Sequence, residues 1–263
     1  MNQGTLDIAV DERGVARLTL ARAAKHNALS ALMIDELTAA AHDLGADPAV
    51  RVVVLAADGA SFCAGGDLGW MREQFEAGRA GRIAEARRLA LLFKLLNEIP
   101  KPLVARIQGN AFGGGIGLIS VCDAAIAAAT ARFGLTEARL GLIPATISPY
   151  VVARIGEGRA RPLFLSGRII DAWQAHATGF VTRVVPEAEL DDAVEAEVRS
   201  YLDAAPGAAG RAKALARSLG FPITDAVIEA TIERLADTWE TEEAREGISA
   251  FLERREPRWR QAN

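Results

Sequence analysis

The chain has 263 residues, half of them hydrophobic, and its 30 basic and 34 acidic side chains leave a formal net charge of -4. That is enough material for a sizeable core, and charges spread along the whole chain give no basic footprint for nucleic acid or a membrane surface. The start MNQGTLDIAV has no basic segment leading into an apolar one, and no run approaches the ~20 apolar residues of a membrane span, so a soluble cytoplasmic protein is expected.

Residues Leu6 to Val10 and Val15 to Leu20 alternate apolar and polar around DERG, which predicts a hairpin. From Ser30, a plausible N-cap, Leu32, Leu37, Ala40 and Leu44 are read as one helical stripe. Val50 to Ala57 is short, β-branched and apolar throughout, the pattern of a strand buried on both faces. A glycine cluster, SFCAGGDLGW (Ser61 to Trp70), follows it, and then a long helix from Ile83 to Ile99 that stops before PKP. Leu103 to Gly109 is again strand-like and runs into a second cluster, GNAFGGGIGLISVCD (Gly109 to Asp123). Ala124 to Ala129 completes a third buried strand, so strands alternate with helices in an α/β core.

Strand signals stop at Pro186. Helical spacing takes over in Asp191 to Asp203, in Gly207 to Ser218, at Ile228, Ile232, Leu235 and Trp239, and at Ala244, Ile248 and Phe251. A core of residues 1–190 followed by a helical subdomain of residues 191–263 is expected, whose apolar stripes must cover the core, a neighbouring subunit or both.

Most familiar chemistries are absent. Neither cluster is a GxxxxGK[ST] loop, and GGGIGL fails GxGxxG because Leu118 stands at the last glycine position. There is no GxSxG or HExxH. His26, His42 and His176 have no ligand spacing and read as surface residues, while Cys63 and Cys122 read as small buried thiols. Backbone chemistry remains. A glycine between a buried strand and a helix can point its N–H at a ligand, and two such donors facing each other make an oxyanion hole able to hold an enolate. The same glycines would also serve plain tight turns.

Five ordered segments carry a resemblance that covers nearly the whole chain: KHNALS (Lys25 to Ser30), SFCAGGDL (Ser61 to Leu68), IPKPLVARIQGNAFGGGIGLISVCD (Ile99 to Asp123), ARFGLTEARLGLIP (Ala131 to Pro144) and EGISAFLERREP (Glu246 to Pro257). In these the chain resembles the enoyl-CoA hydratase/isomerase (crotonase) family. The resemblance implies a spiral of ββα units with two roughly perpendicular sheets, then helices that build a trimer or a dimer of trimers. It implies an acyl-CoA thioester substrate, with Gly66 and Gly114 as oxyanion donors and no cofactor beyond the coenzyme A that the substrate carries. The nucleotide end of coenzyme A would lie near Lys25, Ala28, Ala64, Gly66, Asp67 and Leu68, and Phe251 and Arg254 would reach coenzyme A bound in an adjacent subunit.

The best-known hydratases of the family carry two glutamates. Glu137, in FGLTE, matches the second, although as a bare sequence feature it could be an exposed first-turn glutamate after the N-cap Thr136. At the first position this chain has Gly117. A glycine there, together with IPATISPYVV and DLGWMR, resembles the bacterial methylglutaconyl-CoA hydratase branch, which implies hydration of a branched, carboxylated enoyl-CoA such as 3-methylglutaconyl-CoA. Arg72 is the candidate cation for the distal carboxylate. A Δ3,Δ2-enoyl-CoA isomerase and a noncatalytic acyl-CoA-binding protein are the competing expectations.

Overall fold

The computed structural model describes residues 4–260. β1 (Leu6–Val10) and β2 (Val15–Leu20) pair antiparallel as the expected hairpin, closed by Asp11, whose Oδ1 accepts the Val15 N–H at 2.9 Å. α1 (Ala31–Ala46) begins at Ser30, whose hydroxyl accepts the Met33 N–H. Its buried stripe is Met33, Ile34, Leu37, Ala40, Ala41 and Leu44. Leu32 does not belong to it: at 51% exposure it lies five residues before Leu37, which on a 3.6-residue helix is another face.

The middle of the chain follows in regular order. β3 (Val52–Ala57) leads through β4 (Ser61–Cys63) into α2 (Leu68–Glu76) and α3 (Arg79–Glu98); β5 (Leu103–Ile107) leads through β6 (Asn110–Phe112) into α4 (Gly114–Ser120). β7 (Ala124–Ala128) and β8 (Arg132–Gly134) run into a 3-10 turn at Glu137–Leu140 and then α5 (Ser148–Ile155) and α6 (Glu157–Ser166). β9 (Ile169–Asp171), α7 (Ala172–Thr178) and β10 (Arg183–Val185) close this part.

Successive units thus place β3, β5 and β7 in a six-stranded sheet, β1-β2-β3-β5-β7-β10, and the short β4, β6 and β8 in a four-stranded sheet, β4-β6-β8-β9, with three-residue β9 and β10 adding one strand to each. Apart from the β1–β2 and β8–β9 pairs the neighbours are parallel, so successive units step the same way. These are the ββα units that the sequence resemblance implies. The short strands escape a reading by periodicity because three residues beside glycines are too few to show an alternation. Helix α3 starts at Arg79, a turn before the first apolar residue of its stripe, because its opening turn is polar.

One face of the six-stranded sheet packs on α1, α3, α4 and α5 around Leu18, Leu37, Leu55, Phe93, Leu103 and Tyr150. The other face, with Val52, Val54, Val104 and Ile126, is covered by Leu190, Val194 and Val198 of α8 (Leu190–Leu202). α9 (Pro206–Leu219) has no buried residue and exposes Leu215 and Leu219. α10 (Asp225–Trp239) sets Ile228 and Ile232 on Ala86 and Ala90 of α3, side chains of a size whose burial stabilises by about 1.5–3 kcal/mol each. α11 (Glu242–Leu252) lies on the Glu137 turn. The approach at Gly247 is so close that a Cβ there would come 2.4 Å from the Leu140 carbonyl, so no other residue fits without a shift.

Candidate active site

The loop after β4 is tied to the segment before α1. The Leu29 N–H donates to the Gly65 carbonyl at 2.7 Å and the Asp67 N–H to the Leu29 carbonyl at 2.9 Å, which leaves Gly66 between the two bonds. Asp67 then caps α2, its Oδ1 accepting from the Gly69 and Trp70 N–H groups, while its Oδ2 accepts from Arg22 at 3.0 Å. Partial burial opposes ionisation of Asp67, but Arg22 and the two N–H groups outweigh it and hold the carboxyl below its ordinary range. Arg22 also donates to the Ala28 carbonyl at 2.7 Å, so one guanidinium fastens both ends of this loop system.

The loop after β6 turns at Gly113, whose φ of +47° favours glycine. It then passes so near β4 that a Cβ on Gly115 would lie 2.6 Å from the Cys63 carbonyl oxygen. A Cβ on Gly113 would sit 3.7 Å from the Gly65 Cα, so the two loops touch. Gly66 and Gly114 both line a cavity of about 460 Å³. Among the described residues neither of their N–H groups has a protein acceptor. Two unpaired donors on adjoining loops can receive one oxygen that becomes negative.

Glu137 stands opposite the second loop. Its Oε1 lies 3.1 Å from where a Cβ of Gly113 would be, and its Oε2 is shut off from water without a hydrogen-bond partner. Burial pushes its carboxyl up to about 7, against the small opposing effect of its own N–H. The reading of Glu137 as an exposed residue of a capped first turn is therefore wrong, and Thr136 makes no side-chain cap. Glu137 is the one acidic residue among the described residues lining the cavity, which include no His, Cys, Lys or Tyr. No group of three or more potential metal ligands occurs among the described residues.

Gly117 cannot be exchanged for a second carboxylate without rebuilding the core. A Cβ there would come 2.5 Å from Ile147 Cγ2 and 2.7 Å from Phe93 Cζ, so these two side chains fill the space of a longer residue.

The other candidates are spread more widely. Ala64 lines the cavity; Lys25 is exposed on a 3-10 turn, Ala28 is buried, and Leu68 is 57% exposed and outside the wall. The Asp67 side chain is committed to Arg22 and the α2 cap, and its N–H and carbonyl are bonded to Leu29 and Met71. Phe251 borders the cavity of its own chain, whereas Arg254 does not: α11 ends at Leu252 and Arg254 turns to a φ of +56°. Arg72 is a correction. It is exposed and off the cavity wall, because Trp70, Met71 and Gln74 share one face of α2 and residue 72 falls on the opposite one. The wall residues Gln74, Arg82 and Trp239 had no motif to announce them. His26, His42 and His176 are exposed and lie outside the wall. Cys63 and Cys122 are buried free thiols, each pushed by burial up to about 12.

Similarity to known proteins extends over almost the full chain. A family model described as "Enoyl-CoA hydratase/isomerase" matches residues 11–262. The "Probable enoyl-CoA hydratase echA8" of Mycobacterium tuberculosis is 32% identical over 265 residues, covering 98% of this chain and 99% of that one. "Enoyl-CoA hydratase ACTT6" of Alternaria alternata is 37% identical over 211 residues, 79% of this chain and 68% of that protein. The crystal structure of an enoyl-CoA hydratase from Mycobacterium avium superposes with a TM-score of 0.84 at 34% identity, covering 98% of this chain and 100% of that one.

Proposed function

The chain belongs to the enoyl-CoA hydratase/isomerase family, and from that premise we propose that its cavity adds water across the double bond of a 2-enoyl-CoA thioester. The observation that carries this reading is one buried carboxylate, Glu137, whose Oε2 has no partner, lining the same cavity as the unpaired N–H groups of Gly66 and Gly114.

The thioester oxygen accepts both N–H groups. As the Glu137 carboxylate takes a proton from water, the water oxygen bonds to C3 and the electron pair of the C2–C3 double bond moves onto the thioester as an enolate. The enolate oxygen carries the charge that the two N–H groups stabilise, an effect for which loss of one donor typically costs about 3–4 kcal/mol. Protonated Glu137 then returns its proton to C2, the enolate collapses to the thioester, and H and OH have been added to one face. One carboxylate suffices because it is base first and acid second. A group titrating near 7 exchanges protons readily in both directions at neutral pH.

We further propose a branched, carboxylated acyl group such as 3-methylglutaconyl-CoA, on the resemblance carried by Gly117 and the IPATISPYVV segment. The nucleotide end of coenzyme A would lie along Lys25 to Leu29 and Ala64 to Leu68, and the chain would work as a trimer or a dimer of trimers. Following the conjugated enoyl-thioester absorbance of crotonyl-CoA and 3-methylglutaconyl-CoA with the purified protein tests the reaction. Loss of absorbance with formation of the 3-hydroxyacyl-CoA is expected. Conversion of a 3-enoyl-CoA to a 2-enoyl-CoA without any hydration would make the protein an isomerase instead, and binding with no turnover of either would make it an acyl-CoA-binding protein.

A further inference from the structure

The cavity wall formed by α2, α3 and α10 carries a charge that the hydration step does not use. Arg82, in the first turn of α3, is half-buried and lines the cavity. Its Nε donates to the Gln74 carbonyl at 2.9 Å and its Nη2 to the Phe75 carbonyl at 3.1 Å, and its guanidinium carbon lies 5.3 Å from the centre of the Trp239 ring. These contacts fix the guanidinium without neutralising it. Arg79, Arg87 and Arg88 of the same helix each pair with a carboxylate, but Arg82 has no carboxylate within ion-pairing distance among the described residues. Its Nη1 donates to nothing among them.

Beside it, Gln74 lines the same cavity at 7% exposure, and its Oε1 is shut off from water without a partner. A terminal amide can turn end for end and offer its NH₂ in place of its oxygen. An unused buried amide beside a half-buried cation, in an otherwise apolar wall of Met71, Ala86, Leu89 and Leu235, is costly unless a polar group comes to meet it. The other arginines on the cavity rim do not match this setting: Arg255 is paired with Glu246 and Glu253, and Arg139 and Arg260 are exposed.

We propose that Arg82 and Gln74 anchor a carboxylate at the end of the acyl chain remote from the thioester, so that the preferred substrates are 2-enoyl-CoA thioesters with a carboxylate terminus. The guanidinium supplies the charge-assisted bond, and Gln74 supplies a neutral donor. The anchor rests on the hydratase reading of the site and adds to it the group that selects among substrates.

The test compares two thioesters of equal chain length, glutaconyl-CoA with a terminal carboxylate and 2-pentenoyl-CoA with a terminal methyl. The wild-type protein is expected to favour glutaconyl-CoA by about tenfold or more in kcat/KM. Arg82→Met should lower kcat/KM on glutaconyl-CoA by about 10–100-fold, mainly through KM, as expected when a charge loses its buried partner, and leave 2-pentenoyl-CoA within about threefold. Gln74→Leu should show a smaller loss with the same selectivity. Equal losses on both substrates would reduce Arg82 to a structural cap on the end of α2 and overturn the anchor. A wild-type protein that hydrates 2-pentenoyl-CoA as well as glutaconyl-CoA would overturn it without any variant, which decides the matter even if Arg82→Met fails to fold. In both of those results the hydratase reading survives; hydration of neither thioester would remove that reading and the anchor with it.

Discussion

Where the loops after β4 and β6 meet, the cavity is walled by main chain; where α2, α3 and α10 meet, it is walled by side chains. The first wall is held by sheet bonds, by the Leu29 bridge to Gly66 and by the approach of Gly115 to the Cys63 carbonyl, too close for a Cβ, so its donors sit where the backbone puts them. The second depends on which residues helices happen to present, and it can change by substitution without disturbing the first. Chemistry common to many substrates suits the rigid wall, and discrimination among substrates suits the replaceable one. Glu137 links the two, since its turn follows β8 yet is covered by α11.

The sharpest way to break this division is to remove the carboxylate. Glu137→Gln is expected to lower turnover by about 10²–10⁴-fold with acyl-CoA affinity nearly unchanged, measured by steady-state kinetics and by calorimetry. The same variant should gain stability at high pH. The folded carboxyl titrates near 7, above the 4.5 of an unfolded glutamate, so the wild type loses stability as pH rises between these values and holds that loss above 7. By this account Glu137→Gln is more stable than wild type by up to about 3 kcal/mol at pH 8, with the gap closing below about pH 4; denaturant titrations at both pH values check it.

Next in size is Gly114→Pro, which deletes one donor at the first position of α4, where a helix tolerates proline. Its new Cβ would come 2.6 Å from Cδ1 of the buried Leu29, which has to shift. Turnover should fall by about 10²–10³-fold while the circular dichroism spectrum stays that of the folded wild type, with a lower melting temperature from the displaced Leu29. Full activity in the folded variant would refute a backbone donor at Gly114. The smallest effect concerns the core behind the wall: Gly117→Ala forces a Cβ against Ile147 and Phe93 and should cost about 1–3 kcal/mol of stability in urea unfolding.

The same division explains what could be read before the fold was known. Gly66, Gly114 and Glu137 lie in the short segments that carry the family resemblance, and a main-chain site with a fixed turn leaves a mark in sequence as clustered glycines. The long strands and most helices were legible from apolar periodicity. Leu32 and Arg72 were misplaced because phase on a helix, and not nearness in sequence, decides which way a side chain faces. Arg82 and Gln74 were invisible for a related reason: what fixes Arg82 is the end of α2, where Gln74 lies, and Trp239, the latter more than 150 residues away. That Phe93 and Ile147 fill the space at Gly117 is likewise a fact of packing across three helix and loop segments.

The central claim is that one carboxylate, raised by burial and shared between base and acid, performs the reaction. The pH dependence of kcat/KM for hydration of crotonyl-CoA tests it most directly, because the carboxylate form of Glu137 must be present for water to attack. The account predicts a rate that rises about tenfold per pH unit up to about 7 and is level above it, with the inflection absent from the residual activity of Glu137→Gln. A rate that is flat from about pH 5 to 9, or an inflection that persists in Glu137→Gln, would contradict it.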